Sequence, residues 1–387
     1  MEYIFWSAVV LFAYSYLVYP GLLVVVSAFL GRSDRPPASE TSDLPDVAVV
    51  LAAHDEEVDI GSRIENLLSQ SYPADKLKIY VGSDGSVDRT VEIANRFASE
   101  RVRIFDFQQR RGKASVLNDL MSEVQEPITV FTDANVHFEP DAVAELVGGF
   151  SNTRIGVVCG DLLLQERKRS NPDTLYWRLE RSLKRVEGRL GGLLGANGAI
   201  YGIRTSLFRP LPADTVIDDF VIAMRIAILG KAIVYQPSAR AREDVPDRIE
   251  DEFRRRVRIG TGNYQALFRY PEFLYRTSPV RVFAYISHKV LRWFAPHLLA
   301  TMLITSMLLS ARPVYALAFW SQIVFYATAL LVLLLRRVVG IPPLLVVPAF
   351  LVSLNAAFSV AFWSYLTTET HGQWSRTKRN TTKGQKP

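Results

Sequence analysis

The sequence predicts an α/β domain built on a mixed, mainly parallel sheet, with membrane helices on both sides of it along the chain. Two observations lead to this expectation. Residues 3–30 carry no charge, and residues 293–368 are apolar apart from Arg312, Arg336 and Arg337. Between these regions, short runs rich in Val and Ile alternate with amphipathic stretches. This alternation is typical of a parallel sheet with helices on both faces.

The composition excludes some classes of protein. The single cysteine, Cys159, rules out a disulfide framework within one chain, and its apolar neighbours indicate a buried thiol. The net charge of +6 fits an anionic membrane surface or a diphosphate ligand. No nucleic acid partner is expected, because the sequence lacks the pattern of basic and aromatic residues that such a surface needs.

The first apolar run is expected to be a transmembrane helix over residues 1–30. It is longer than the roughly 20 residues that cross a bilayer. A cleaved signal peptide would begin with basic residues, whereas Glu2 precedes this run and Arg32 and Arg35 follow it. The positive-inside rule then puts the N-terminus outside the cell. After a linker over 31–45, the domain over 46–270 is expected in the cytosol, in a multi-pass protein of the cell membrane.

The C-terminal region is expected to hold three membrane segments after an interfacial amphipathic stretch at 271–292. The first two form a transmembrane hairpin over 293–335, with a turn at Arg312-Pro313. The third segment, 338–368, either spans the bilayer or lies at its interface, because it contains several prolines and polar residues. Its course decides on which side of the membrane the basic tail over 369–387 lies.

Within the domain, the alternation assigns four strands and three helices. The strands are predicted over 47–52, 78–83, 102–107 and 128–132, and the helices over 60–70, 89–100 and 113–123. Ligands of such sheets bind at the carboxyl ends of the strands. Polar residues follow three of these strands, namely residues 53–57, Asp84 and Asp133. Each cluster alone is a common turn or helix cap, but their recurrence at successive strand ends indicates a site.

Two further features of this half have a functional and a structural interpretation. Asp133 and Asn135 can supply oxygen ligands to Mg²⁺ or Mn²⁺ from one loop, or form a turn that caps the next helix. Residues 110–113, Arg-Arg-Gly-Lys, place three cations ahead of a helix. They form either a phosphate site or a solvated basic turn.

A second group of candidates lies between residues 195 and 260. Residues 195–198, Gly-Ala-Asn-Gly, either let the backbone approach a ligand or make a tight turn. Asp218 and Asp219 either cap an apolar helix or provide a base whose pKa the neighbouring carboxylate raises. The arginine cluster over 254–258 falls on one predicted helix and serves either a diphosphate or anionic lipid headgroups.

In their order along the chain, these motifs resemble those of the membrane-integrated family 2 glycosyltransferases, which include hyaluronan, chitin and cellulose synthases. The resemblance covers nearly the whole chain. The motifs that carry it are Asp-Glu-Glu at 55–57, Asp84 in Asp-Gly-Ser, Gly-Lys-x-x-x-x-Asn at 112–118, Thr-Asp-Ala-Asn at 132–135, Gly-Ala-Asn-Gly at 195–198, Asp218-Asp219, the arginine cluster, Ser287-His288-Lys289 and Trp374-x-x-Thr377-x-Arg379.

The resemblance implies a GT-A fold and inverting transfer of a sugar from a nucleotide-sugar donor, by default a UDP-sugar. The acceptor would be a glycan or a lipid-linked sugar at the cytosolic face, and membrane lipids and polysaccharide export components would be partners. Mg²⁺ or Mn²⁺ would be the cofactor, held by Asp133 with Asn135. The donor would be bound by Ala53, Asp55, Glu56, Asp84, Lys113, Asp133, Arg255 and Arg258.

The resemblance also implies roles on the acceptor side. Asp219 would be the catalytic base, and the acceptor would contact Asn197, Gly198 and Asp218. The tail residues Trp374, Thr377 and Arg379 would gate the donor site.

The chain departs from the family pattern at three motifs, and other functions stay open. Ile217-Asp218-Asp219 replaces Thr-Glu-Asp but keeps the last carboxylate. Asp-Ala-Asn replaces the commoner Asp-x-Asp, and residues 255–259 lack the Gln and Trp of processive members. Whether one sugar or many are added therefore stays open. One alternative is a glycosyltransferase whose acceptor is a polyprenyl phosphate, which needs little base catalysis. The other is a catalytically silent membrane scaffold that binds a nucleotide sugar.

Overall fold

The computed structural model describes residues 1–29, 44–165, 172–244, 249–335 and 343–368. The whole of the tail over 369–387 and most of the linker over 31–45 lie outside these ranges. The strands are β1 (Val47–Ala53), β2 (Leu77–Asp84), β3 (Val102–Phe107), β4 (Ile128–Thr132), β5 (Val136–Phe138), β6 (Ile155–Gln165), β7 (Tyr201–Arg204) and β8 (Ala232–Asp244).

Helices precede, cover and follow the sheet. Two precede it, α1 (Glu2–Ala13) and α2 (Tyr19–Phe29), joined by a π-helical turn. The domain contains α3 (Ile60–Leu68), α4 (Thr90–Asn95), α5 (Lys113–Glu123), α6 (Ala142–Gly148), α7 (Pro172–Arg189), α8 (Asp218–Ile228) and α9 (Ile249–Arg269). After it come α10 (Phe273–Arg276), α11 (Pro279–Ala284), α12 (Leu291–Trp293), α13 (Ala295–Leu308), α14 (Pro313–Leu335) and α15 (Pro343–Thr367).

The eight strands form one mixed sheet in the order β3-β2-β1-β4-β7-β6-β8-β5. The first four are parallel to one another, as the alternation predicts. Beyond them, β7 runs antiparallel to both β4 and β6, and β5 runs antiparallel to β8. Helix α4 is shorter than the predicted 89–100, because the chain turns back at Ser99, which pairs with Val102, the first residue of β3.

The sheet is covered on both faces. Every residue of β1 is buried. Ala48, Val50 and Ala52 face the core that contains α5 and α8, whereas Val47 and Val49 face the core that contains α3 and α6. A strand buried on both sides needs a continuous apolar run, which explains why β1 lacks the polar alternation of an edge strand.

Three helical segments among the described residues are long and apolar enough to cross a membrane: Glu2–Phe29, Pro313–Leu335 and Val346–Thr367. The pair Pro279–Trp293 and Ala295–Leu308, bent by 57°, is a further candidate. Glu2 forms an ion pair with Arg312, and the rings of Phe5 and Tyr315 lie 5.2 Å apart. The N-terminus and the turn of the hairpin therefore lie at the same end of the helices.

Helix α15 packs against α9 of the domain. The guanidinium of Arg256 lies 4.8 Å from the centre of the Phe350 ring. Fifteen residues further along α15, the ring of Tyr365 stacks on Phe268 at 5.5 Å. An interfacial course for this segment stays a prediction, and contacts with the domain near both ends of α15 support it.

A buried charged cluster, which we call the junction cluster, joins the domain to the membrane helices. It consists of Tyr19, Glu180, Glu187, His288 and Arg292. The His288 ring lies between the two carboxylates, with Nδ1 2.6 Å from Glu187 Oε1 and Nε2 3.1 Å from Glu180 Oε2. Arg292 pairs with Glu180, and Tyr19 donates to Glu187 Oε1 at 2.7 Å. Three parts of the chain thus meet in a polar network shielded from water.

Candidate active site

The predicted polar residues converge at one end of the sheet. Strand β1 lies between β2 and β4, in a register that pairs Ala53 with Ser83 and Leu51 with Thr132. Because these strands are parallel, the residues after each of them emerge at the same edge. Asp84 ends β2, and Asp133 follows β4. The sequence clusters at the three strand ends are therefore neighbours in space.

Asp84 holds the basic loop that precedes α5. It is buried, its Oδ1 accepts a hydrogen bond from the backbone N–H of Arg111 at 2.7 Å, and its Oδ2 accepts one from Gly112 at 2.9 Å. Gly112 has φ of 92°, a conformation that favours glycine, and α5 starts at the next residue. The buried carboxylate thereby fixes where Lys113 projects.

Lys113 bridges two acids that are distant in sequence. Its Nζ lies 2.9 Å from Asp133 Oδ1 and 3.2 Å from Asp218 Oδ2. Burial alone would lower the pKa of Lys113, but attraction to Asp133 and Asp218 is stronger and raises it. The lysine therefore stays cationic and ties the strand-end loop of β4 to the start of α8.

Asp218 and Asp219 occupy different environments although they are adjacent. Asp218 faces Lys113. Asp219 packs against Gly198, where a Cβ would lie 3.1 Å from Asp219 Oδ2, so any larger residue would displace the carboxylate. Burial, and then repulsion from Asp218, raise the pKa of Asp219 to about 6. A carboxyl group with this pKa can accept a proton near neutral pH.

The loop over residues 53–57 is hydrogen-bonded to the loop over residues 86–90. Ala53 is buried, and Asp55, which has φ of 54°, accepts from Val87 N–H through Oδ1 at 2.9 Å. Glu56 N–H donates to Thr90 Oγ1 at 2.7 Å. These contacts build the edge of the site from two strand-end loops. That Ala53, Asp55 and Glu56 bind the donor stays a prediction.

Several other candidates have defined neighbours. Asn135 Nδ2 donates to Glu243 Oε1 at 3.1 Å. Both polar atoms of the Asn197 side chain form hydrogen bonds. Nδ2 donates to Gly160 O at 2.9 Å, and Oδ1 accepts from Lys184. Asn197 thus holds its own turn, and Gly198 supports Asp219. The acceptor contacts predicted for Asn197, Gly198 and Asp218 stay predictions.

The arginines of α9 lie beside the start of α8. Arg258 donates to the carbonyl of Val216, two residues before Asp218, at 3.4 Å. Arg255 lies 3.7 Å from Glu252. Of the two, Arg258 brings positive charge towards the acids of the site. The gating residues Trp374, Thr377 and Arg379 lie outside the described residues.

The residues present fit a divalent cation that is held partly by the protein and partly by a bound substrate. In the described ranges, no group of three or more His, Cys, Asp or Glu side chains is arranged to hold a metal ion. Asp133 offers a carboxylate, and Asn135 keeps its Oδ1 acceptor when Nδ2 donates to Glu243. Mg²⁺ and similar ions are commonly held by one or two side chains together with substrate phosphates. The oxygen atoms of Asp133 and Asn135 therefore suit a metal ion that is also bound by a diphosphate.

Two buried residues near the site were not identified from the sequence. Arg63, on α3, donates to Thr132 Oγ1 beside Asp133. Tyr201, on β7, is fully buried, and no hydrogen-bond partner for its hydroxyl is found among the described residues. Arg63 was detectable, because it has helical spacing with Ile60, Ile64 and Leu67 on the buried face of α3. No feature of the sequence distinguishes Tyr201 from other buried strand residues.

Sequence comparisons point to one family. Residues 48–209 match the model of the family described as Glycosyl transferase family 2. The poly-beta-1,6-N-acetyl-D-glucosamine synthase of Staphylococcus epidermidis is 23% identical over 239 residues, which cover 60% of this chain and 58% of the relative. That of Staphylococcus aureus (strain COL) is 25% identical over 249 residues, covering 61% and 59%. The chain thus spans less than two thirds of the length of these relatives.

A solved structure shares the fold. The mannosyltransferase PcManGT from Pyrobaculum calidifontis, in complex with GDP-Man and Mn²⁺, superposes with a TM-score of 0.69 at 20% identity. The superposition covers 94% of this chain and 99% of that one. The expected GT-A fold is confirmed, and so is the resemblance on which it rested. Residues 48–209 of this chain are similar to glycosyl transferase family 2 domains.

Proposed function

We propose that this protein is an inverting glycosyltransferase that moves a sugar from a nucleotide diphosphate to a hydroxyl of a glycan or lipid-linked acceptor. One observation carries the proposal. Lys113 and Asp133, which lie in the part of the chain that matches family 2, converge with Asp218 and Asp219 at the carboxyl edge of the parallel strands. They provide a cation for a diphosphate, an oxygen ligand for a metal and a carboxylate base.

Lys113 and the basic loop provide the donor side of the site. The leaving diphosphate gains negative charge as its bond to the sugar breaks, so fixed positive charge at that position lowers the barrier. Lys113 projects from the start of α5, where the positive end of the helix dipole adds to its charge. When the donor binds, its phosphates compete with Asp133 and Asp218 for the ammonium group. A divalent cation held by Asp133 and Asn135 would neutralise further phosphate charge.

Asp219 provides the acceptor side. Its carboxylate takes the proton of the acceptor hydroxyl while that oxygen forms a bond to the anomeric carbon. The bond from this carbon to the diphosphate oxygen breaks on the opposite face, and the nucleoside diphosphate leaves with the electron pair. A single displacement of this kind inverts the configuration. Asp218 raises the basicity of Asp219, while its own charge is balanced by Lys113.

The acid limb of the pH profile should report Asp219. We expect kcat/KM to rise through about pH 6, because Asp219 must lose its proton to act as a base and its pKa is about 6. In Asp218→Asn the repulsion that raises this pKa is removed, so the limb should move to lower pH. Initial rates between pH 4.5 and 8, on the order of ten points, define the limb. An unmoved limb in Asp218→Asn would contradict the pairing.

We propose that this chemistry takes place at the cytosolic face of the cell membrane, and the apolar helices of the chain support a membrane location. Nucleotide sugars are made in the cytosol, and Arg32 and Arg35 after the first helix favour a cytosolic domain. With the N-terminus outside, the Arg312 turn beside it lies outside as well. A role in cell-surface or exopolysaccharide synthesis follows from the names of the relatives. Export components and membrane lipids are then the expected partners.

Donor turnover by the full chain tests the proposal. Detergent-solubilised protein is incubated with Mg²⁺ or Mn²⁺, a membrane lipid extract and a panel of nucleotide sugars that includes UDP-N-acetylglucosamine and GDP-mannose. Released nucleotide is measured with and without acceptor. We expect release with one donor, dependent on the metal. Donor binding without release would instead indicate a silent scaffold, and transfer to a polyprenyl phosphate would indicate that alternative acceptor.

A further inference from the structure

Arg63 is a charged residue in the interior of the domain. Its side chain has no exposed surface, although α3 is an amphipathic helix with a solvent side. The guanidinium lies 4.2 Å from the centre of the Phe138 ring. One terminal nitrogen donates to Asn66 Oδ1, and the other donates to Thr132 Oγ1 at 2.7 Å. Arg63 is thereby fixed behind the loop that carries Asp133.

The charge of Arg63 is not needed for these contacts. Among the described residues, no carboxylate forms an ion pair with it, and its Nε has no hydrogen-bond partner. Burial lowers the pKa of Arg63 to about 9, and Asp133 acts in the opposite direction, so the side chain is cationic at neutral pH. A buried cation without a paired anion lowers the stability of the fold, because burying an ion removes its hydration. A neutral side chain would pack there at lower cost.

Thr132 extends the contact of Arg63 to the other half of the site. Its hydroxyl accepts from Arg63 and donates to the carbonyl of Ala199 at 2.8 Å. Asp133 follows Thr132 directly, and Gly198, which precedes Ala199, packs against Asp219. One guanidinium thus lies behind both the predicted metal ligand and the predicted base.

We propose that Arg63 is a positioning residue for glycosyl transfer, which fixes the Thr132-Asp133 corner and, through the Thr132 hydroxyl, the turn that supports Asp219. The inference rests on the proposed function. A buried cation at this place also favours the anionic donor, because charges interact strongly in a region from which water is excluded. Arg63 touches neither the donor nor the acceptor in this scheme.

The first test replaces Arg63 with methionine and measures kinetics together with donor binding. We expect kcat/KM for the donor to fall by about tenfold to a hundredfold, the scale of a misplaced catalytic group. A non-hydrolysable analogue of the donor, added with Mn²⁺, should raise the melting temperature of the wild-type protein. This rise should be smaller in Arg63→Met. Arg63→Lys keeps the charge but loses the two-pronged contact, so it should recover donor binding more than kcat.

Arg204 gives a matched control at the opposite end of the sheet. Its guanidinium lies 5.4 Å from the Phe150 ring and its Nε donates to Ile155 O at 2.9 Å, and it pairs in register with Ile128, the first residue of β4. Arg204→Met should lower the melting temperature while leaving donor kcat/KM within about threefold of wild type, as expected of a change far from the reacting groups. A purely structural role for Arg63 would give the same result in Arg63→Met.

Thr132→Val decides the question if Arg63→Met does not fold. Valine keeps the shape of threonine and removes the hydroxyl link, so kcat/KM should fall in this variant too. Wild-type kinetics and donor-induced stabilisation in a folded Arg63→Met, or in Thr132→Val, would overturn the inference while leaving the proposed function intact. Absence of donor turnover in wild-type protein would instead overturn the proposed function itself.

Discussion

Replacing Asp219 with asparagine is expected to lower kcat by a factor on the order of 10² or more, the scale of a lost general base, while donor affinity changes little. The amide has nearly the shape of the carboxylate and fits against Gly198, but it cannot take the acceptor's proton. Nucleotide release under saturating donor gives kcat, and calorimetric titration with the donor nucleotide gives the affinity.

Asp214→Asn is the matched control for Asp219→Asn. Asp214 lies in the same segment, and its carboxylate pairs with Arg269 on the outside of the domain. Its replacement should leave both kcat and donor affinity near wild type. If Asp219→Asn lost donor binding and rate to the same extent, Asp219 would be a structural cap of α8. A nearly unaffected kcat would favour a phosphate acceptor, which arrives already ionised.

Asp133→Ala is expected to abolish transfer and donor-dependent metal binding. The carboxylate is the metal-side oxygen ligand of the proposed site and one of the two anions that hold Lys113. Without it, neither the metal nor the lysine is fixed against the developing charge of the diphosphate. Nucleotide release and Mn²⁺ binding, followed by its paramagnetic resonance signal with and without donor, are the measurements.

Glu123→Ala serves as the control for Asp133→Ala. Glu123 pairs with Arg103 at the end of α5 that lies away from Lys113. It should keep wild-type turnover and wild-type metal binding. If Asp133→Ala turned over donor at near-normal rate and still required Mg²⁺ or Mn²⁺, the metal would be held by other residues.

The parallel half of the sheet could be predicted because each element carries its own signal. The apolar runs of β1 and β4 and the amphipathic pattern of α5 are local, and the bounds of β3, β4 and α5 agree with the expectation. The antiparallel insertion of β7 between β4 and β6 could not be predicted, since it depends on pairing between distant segments. The predicted mixed, mainly parallel sheet is confirmed, with its parallel pairs in the first half and between β6 and β8.

The site residues show the same division. The carboxylates at strand ends were identifiable, because parallel strands bring their ends together. The ion pair between Lys113 and Asp218 joins residues over 100 positions apart, and no local pattern encodes it. Likewise, the sequence indicates Asp84 as a strand-end residue of the site, but it does not show that Asp84 is buried and holds the loop before Lys113. The helical periodicity of α3 puts Arg63 on the buried face, but no local pattern identifies Thr132 as its partner.

The junction cluster bears on how this protein can be divided. Glu180 and Glu187 belong to α7 of the domain, yet the cations and the hydroxyl that face them come from residues 19 and 288–292. Removing both the N-terminal helices and the residues after 270 to obtain a soluble enzyme would leave two buried carboxylates without these partners. The boundary that hydropathy gives between the domain and the membrane helices is therefore not a boundary between separately packed units. A water-soluble version would need both glutamates replaced as well as the helices removed.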